Sequence, residues 1–305
     1  MKHILFISIS ILSFISFGQT TYIDIPRTKI SFPKLDNYRL NTLTSILNST
    51  DNTTDAIQFF EMDGGNFESN TRNFSKDEFE KKGMIVTQLK DTIIAGFEAI
   101  YVIAQVVPNQ SIEIAAFVFG NDNFSVMINA IYDQNLNNKG KELIHNSILS
   151  LKYDSDKEIN PFEGVKFKTK RNPEFIFKTY AANVYNYTSQ TDSTEFLIIT
   201  QLPYEPQQSF AQVAANAIYQ AKSQGWEDFK IESETYDDDN KTKRAIVSGN
   251  CILNGIKKSF YFKFISDEKD VIVIVMAVIP ESKPQLFKQA KLFASKVKLI
   301  KSKSK

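Results

Sequence analysis

The sequence predicts an α+β protein made of two tandem α/β/α sandwich domains with mainly antiparallel sheets. Three observations predict it. Residues 271–279 read Val-Ile-Val-Ile-Val-Met-Ala-Val-Ile, an unbroken and mostly β-branched run that suits a strand covered on both faces. The same order of elements occurs twice: 124–132 precedes a helical stretch at 139–152, as 271–279 precedes one at 282–298. Turn signals between the remaining strands imply hairpins, hence antiparallel neighbours, because parallel ones need long crossovers. A length of 305 residues suits two ordinary domains. They are expected at 21–153 and 163–300, joined by a solvating connector at 154–162 that carries Asp154, Asp156, Lys157, Glu158 and Pro161.

Residues 1–18 read as a secretory signal peptide. Lys2 and His3 form a basic start, 4–17 are apolar with interspersed Ser, and Ser16 and Gly18 stand where a signal peptidase requires small residues. The stretch is short for ~30 Å of hydrocarbon, and no cysteine lies near the cleavage point to make a lipid anchor. A secreted or periplasmic location follows as an expectation, with no integral membrane segment after cleavage.

In the first half, strands are expected at 28–32, 56–62, 85–89, 92–105, 112–119 and 124–132. Asp63-Gly64-Gly65-Asn66 is turn chemistry. Ser75 and Glu78 form a capping box, Phe74 and Phe79 a hydrophobic staple, and Gly83 a helix stop. The helix 139–152 places Leu143, Ser147, Ile148 and Leu151 on one side. In the second half, strands are expected at 164–170, 182–189, 195–202, 229–235, 245–253, 257–265 and 271–279. The helix 210–224 carries Phe210, Val213, Ala214, Ala217, Ile218 and Ala221 at helical spacing, with Ser209 as N-cap and Gln212 at N3. Asn254-Gly255 predicts a two-residue hairpin of the primed type.

Laid side by side, Lys82-Gly83-Met84 matches Gln224-Gly225-Trp226, and Ile94-Ala95-Gly96 matches Val247-Ser248-Gly249. An internal duplication accounts for both. The first half resembles the secreted PsbP-like family. The resemblance is carried by Ile25-Pro26-Arg27-Thr28-Lys29-Ile30, by Pro33-Lys34 leading to Tyr38, by Phe74-Ser75-Lys76 through Lys82-Gly83-Met84, by Ile94-Ala95-Gly96, by Phe117-Val118-Phe119-Gly120 and by Ser147-Ile148-Leu149-Ser150. It covers most of 21–153 and, more faintly, 160–300. It implies two PsbP-like domains of a kind that serve as extrinsic subunits and binding modules, and it implies no shared catalytic residues. Shape does not fix function.

Charge and chemistry narrow the classes further. There are 36 Lys plus Arg against 35 Asp plus Glu, and removing Lys2 with the signal segment leaves the two equal. Such a balance gives no electrostatic case for nucleic acid or an anionic membrane. Lys296, Lys298, Lys301, Lys303 and Lys305 read as a frayed basic end, with 301–305 as its tail. Beyond the signal segment the sole histidine is His145, expected on the exposed side of its helix, so a Cys/His metal site cannot be assembled. A Ser-His-Asp arrangement would require His145, with no Gly-x-Ser-x-Gly elbow to supply its nucleophile. Cys251 reads as a small buried hydrophobe. Asp237-Asp238-Asp239-Asn240 lacks the alternation of a calcium loop and reads as a hairpin tip. No cofactor is expected.

The one binding clue is aromatic: Tyr180, Tyr185, Tyr187 and Tyr204 would form a partner-binding patch if they converged on an exposed face. The leading expectation is an exported, non-enzymatic binding or accessory protein of the cell envelope with a protein partner. Two alternatives stand beside it: a carrier of an apolar small molecule in an inter-domain groove, and a hydrolase using only carboxylates, which needs two acids ~5–10 Å apart in one cleft.

Overall fold

A computed structural model describes residues 20–300 apart from 64, 108–110, 206, 208, 224 and 239–241. The expected signal peptide and the tail at 301–305 lie outside the described residues. The first domain runs β1 (Tyr22–Asp24), β2 (Ile30–Pro33), β3 (Tyr38–Asn41), β4 (Ile46–Ser49), β5 (Ala56–Asp63), α1 (Phe67–Thr71), α2 (Lys76–Lys81), β6 (Met84–Ile94), β7 (Phe97–Val106), β8 (Ile112–Gly120), β9 (Phe124–Asp133), α3 (Asn138–Leu149) and β10 (Lys152–Tyr153). The second runs β11 (Phe167–Lys168), β12 (Phe175–Ala181), β13 (Val184–Ser189), β14 (Phe196–Pro203), α4 (Phe210–Ser223), β15 (Glu227–Asp238), β16 (Lys243–Leu253), β17 (Ile256–Ser266), β18 (Val271–Pro280), α5 (Pro284–Lys296) and β19 (Lys298–Leu299).

Each domain holds a seven-stranded sheet, ordered β3-β4-β5-β9-β8-β7-β6 in the first and β12-β13-β14-β18-β17-β16-β15 in the second. The two orders correspond strand for strand, and every pairing is antiparallel. A small ribbon closes each domain by joining its start to its end: β1-β2-β10 in the first, β11-β19 in the second.

Helices cover both faces of each sheet. In the first domain Ile144 and Ile148 of α3 pack on Phe59, Phe117, Ile128 and their neighbours, while Phe74 and Phe79 around α2 pack over Val102, Ala104 and Ala116 on the other face. In the second, Leu286, Ala290 and Phe293 of α5 meet Val273, Val275 and Ala277. On the opposite face Phe210, Ala214 and Ile218 of α4 meet Ala245, Val247, Phe262 and Ile274. The unbroken apolar run of β18 is thus explained, since alternate residues enter different cores.

Local chemistry agrees in most places. Asn254 and Gly255 adopt φ of 53° and 73°, as a primed hairpin requires. Ser209 Oγ accepts from the Gln212 N–H at 3.2 Å while Gln212 Oε1 accepts from the Ser209 N–H at 2.8 Å, a reciprocal cap for α4. At α2 the Ser75 hydroxyl caps the Glu78 N–H and the staple rings of Phe74 and Phe79 meet edge-to-face at 5.0 Å, but the Glu78 carboxylate pairs with Lys81 instead of reaching back.

Several expectations about the elements need correction. The strand expected over 92–105 is two strands, because Ala95 and Gly96 take φ of 51° and 86° and turn β6 into β7. The flanking isoleucines hid that turn. The match of Ile94-Ala95-Gly96 to Val247-Ser248-Gly249 therefore fails: Gly249 lies inside β16 facing a bulge in β15, where a Cβ would stand only 1.9 Å from the Lys230 carbonyl oxygen. On α3 Ser147, Ile148 and, just beyond it, Leu151 are buried as expected, but the inward residue one turn earlier is Ile144, and Leu143 is 54 % exposed. Finally, Lys296 ends α5 and Lys298 belongs to β19, so neither is part of a frayed end.

The domains touch through polar contacts around Arg27. Its guanidinium donates to the carbonyls of Glu163 and Leu43, each at 3.0 Å, and to the Ser45 hydroxyl at 2.9 Å. Tyr180 donates to the Arg27 carbonyl at 2.8 Å, Gln201 donates to the Leu43 carbonyl at 3.3 Å, and the Leu43 side chain packs against the second domain's core.

Candidate functional site

The four tyrosines do not share an exposed face. Tyr185 and Tyr187 alternate along β13 and so point the same way, into the core under α5. Tyr187 lies 5.0 Å from the Phe293 ring and Tyr185 5.2 Å from Phe167, and burial pushes the Tyr185 hydroxyl up to about 12. Tyr180 stacks on Tyr185 at 6.2 Å and spends its hydroxyl on Arg27. Tyr204 packs against the other core, beside α4.

His145 is half-buried, against the expectation of exposure. Its Nε2 lies 2.8 Å from the Tyr132 hydroxyl and its ring 5.8 Å from Phe117. Burial holds its pKa below the usual histidine value, with Lys141 pushing the same way against Glu113. Cys251 is buried as a free thiol in the core that faces α4, and burial raises its pKa. Among the described residues no group of three His, Cys, Asp or Glu is placed to hold a metal ion.

An open groove of about 1230 Å³ lies on the α5 side of the second sheet. Ile246, Tyr261 and Lys263 floor it, Val297 and Leu299 wall it beyond the end of α5, and Arg244, Glu268 and Asp270 stand at its rim. The corresponding position in the first domain is filled. Phe117 stands three pairs in from the hairpin end at Gly120–Ser125, as Lys263 stands three pairs in from Ser266–Ile272. Phe117 stacks on its cross-strand partner Tyr101 at 5.0 Å and meets His145, whereas Lys263 is opposite Ile246. One aromatic pair replaced by a lysine and an isoleucine separates a closed face from an open one.

Lys263 is 6 % exposed, and its ammonium donates to the carbonyls of Ala294, Ser295 and Val297 at 2.9, 3.2 and 3.1 Å. Those carbonyls lie at the end of α5, where the helix dipole favours a cation, and that of Ala294 also accepts from the Val297 N–H at 3.2 Å. Burial, reinforced by Arg244 and Lys298, pulls its pKa down to about 8. A lone lysine within Phe260-Tyr261-Phe262-Lys263-Phe264-Ile265 was the signal in the sequence for this position. At the rim, Arg244 pairs with Asp237 at 3.2 Å, and Lys243 bridges Glu268 at 2.9 Å and Asp238 at 3.8 Å.

No family model and no curated protein matches the chain. Among solved structures it is similar to the cyanobacterial PsbP of Synechocystis, at 7% identity and a TM-score of 0.31, over 48% of this chain and 100% of that one. It is similar to LpqN of Mycobacterium tuberculosis, described as involved in cell envelope biogenesis, at 10% identity and 0.31, over 44% and 83%. It is also similar to the T6SS immunity protein TplEi of Pseudomonas aeruginosa, at 8% identity and 0.30, over 92% and 98%. None of these likenesses carries an argument about function.

The groove itself offers both signs of charge, exposed strand backbone at its margin along β15, and an apolar floor beside Lys263. That combination suits a polar or mixed polypeptide segment better than an apolar small molecule. The open space lies inside the second domain, and the contact between the domains is packed around Arg27 and Leu43. Asp238 and Glu268 come close enough for a carboxylate pair, yet both are engaged by the one ammonium of Lys243.

Proposed function

We propose that the chain is an exported, non-enzymatic binding module of the cell envelope, built from two PsbP-like domains that arose by duplication, and that the groove over β15–β17 receives a segment of a protein partner. The observation that carries this is the exchange at one equivalent position: Phe117 and Tyr101 seal the first domain, and Lys263 and Ile246 leave the second open. A non-enzymatic role is supported by the committed state of the reactive side chains, since His145 faces Tyr132 and Phe117, and Cys251 lies in a core. The first domain then serves as a packed partner that fixes the second through Arg27.

The test is site-specific photocrosslinking in an envelope fraction, with the reactive group at Ile246 and, as comparison, at exposed Leu143 on α3. A discrete adduct from Ile246 and none from Leu143 is the expected result. Equal labelling at both positions, or none at either, counts against the groove as the site. Should Glu268→Gln abolish a hydrolytic activity of the purified chain, the carboxylate reading would replace this one.

A further inference from the structure

The chain-wide balance of charge conceals a local excess on the ribbon that closes the second domain. In β11 and β19, Phe167 lies opposite Leu299 and Lys168 opposite Lys298. Phe167 is buried and Leu299 packs on the core, so the two lysines share the outward face, both exposed. Like charges directly opposite on neighbouring strands oppose pairing. Lys170 and Arg171 follow, also exposed. None of Lys168, Lys170, Arg171 and Lys298 forms an ion pair with a described residue.

The fold does not require this arrangement. In the first domain the matching ribbon sets Lys152 opposite Ser31, lays the Lys152 ammonium 4.1 Å over the Tyr22 ring, and places Asp24 3.5 Å from Lys157. There β1 also covers the outer edge of β2. In the second domain β11 pairs with β19 alone, and the cations face outward together.

We propose that the β11–β19 ribbon is a docking face for the anionic headgroups of a lipid bilayer. The charges favour a bilayer over an acidic protein because they are mainly lysines, point charges on flexible stems, spread along an outward strand face; Arg171 alone supplies a planar fork. Ile300, 45 % exposed, lies two residues beyond Lys298, both at the margin that the ribbon shares with the groove, and adds apolar contact at the interface. Each lysine held near an anionic surface strengthens partitioning by about fivefold.

The experiment is co-sedimentation of the full chain with vesicles of phosphatidylglycerol and phosphatidylcholine, and with phosphatidylcholine alone, at low and high salt. Expected are binding to the anionic vesicles only, loss of it at high salt, and a drop of about 25-fold in Lys168→Gln/Lys170→Gln. Both positions are exposed and lie away from the groove, so that variant leaves the fold and the Ile246 crosslink intact, and failure here is distinguishable from failure of the groove. Lys152→Gln, on the neutralised ribbon, should bind like the parent chain. The inference is overturned if the parent chain ignores anionic vesicles, if the double variant binds as well as the parent, or if only a soluble polyanion is bound.

Discussion

Lys263 is the residue in which packing and electrostatics conflict most. The ammonium answers three carbonyls at the end of α5, yet burial lowers its pKa to about 8 from the usual 10.5. The unfolded chain therefore holds that proton more tightly, and between about pH 8 and 10.5 unfolding takes a proton up, so the folded state gains stability as pH rises. The shift is worth about 3 kcal/mol. In urea unfolding of the parent chain and of Lys263→Met across that range, the parent should stabilise relative to the variant as pH rises, and equal slopes would contradict it. His145 obeys the same sign in another window. Its pKa is lowered by burial, so its contribution is complete above the unfolded histidine value near 6.5 and is lost on acidification. The first domain should weaken below about pH 6.5, and His145→Gln should flatten that decline in a pH series of thermal melts.

Among the elements, α4 depends most on its cap. Ser209 and Gln212 satisfy each other's backbone donors at its start, so Ser209→Ala should cost about 1 kcal/mol, read as a lower urea midpoint. Such local devices were legible beforehand because they need only neighbouring residues: this cap, the Phe74–Phe79 staple and the Asn254-Gly255 turn all hold. Strands β3, β4 and β12 were not anticipated. β3 and β4 are only four residues each, such as Tyr38-Arg39-Leu40-Asn41, and β12 is a half-exposed edge strand whose short apolar start, Phe175-Ile176-Phe177, gives way to Lys178 and Thr179. The tyrosines misled for a related reason. Aromatic clustering in sequence does not say which strand face is inward, and β13 turned Tyr185 and Tyr187 into the core. The groove was hidden because it depends on Lys263, Ile246 and the end of α5, which only the folded sheet brings together.

At the scale of the whole molecule, two sheets of one strand order are held by a contact that runs through Arg27. The residue adopts φ of 57° and is nearly fully buried, so its backbone strain and its charge are both carried by the partners it gathers. Arg27→Met should destabilise the chain by about 3 kcal/mol and speed limited proteolysis within 154–162, whereas Tyr180→Phe should produce a smaller change of the same kind. The matched strand order was visible in the sequence as a repeat, but the contact was not, because Arg27 lies 136 residues from Glu163 and 153 from Tyr180 along the chain. The ribbons also set an order of assembly. Since β10 returns to β2, the leading half can shut as soon as residue 153 is free to join it, before most of the trailing half exists. The trailing half has to wait for Leu299 to reach Phe167. A polypeptide ending short of β19 would carry one finished half and one with an unzipped seam along its apolar interior.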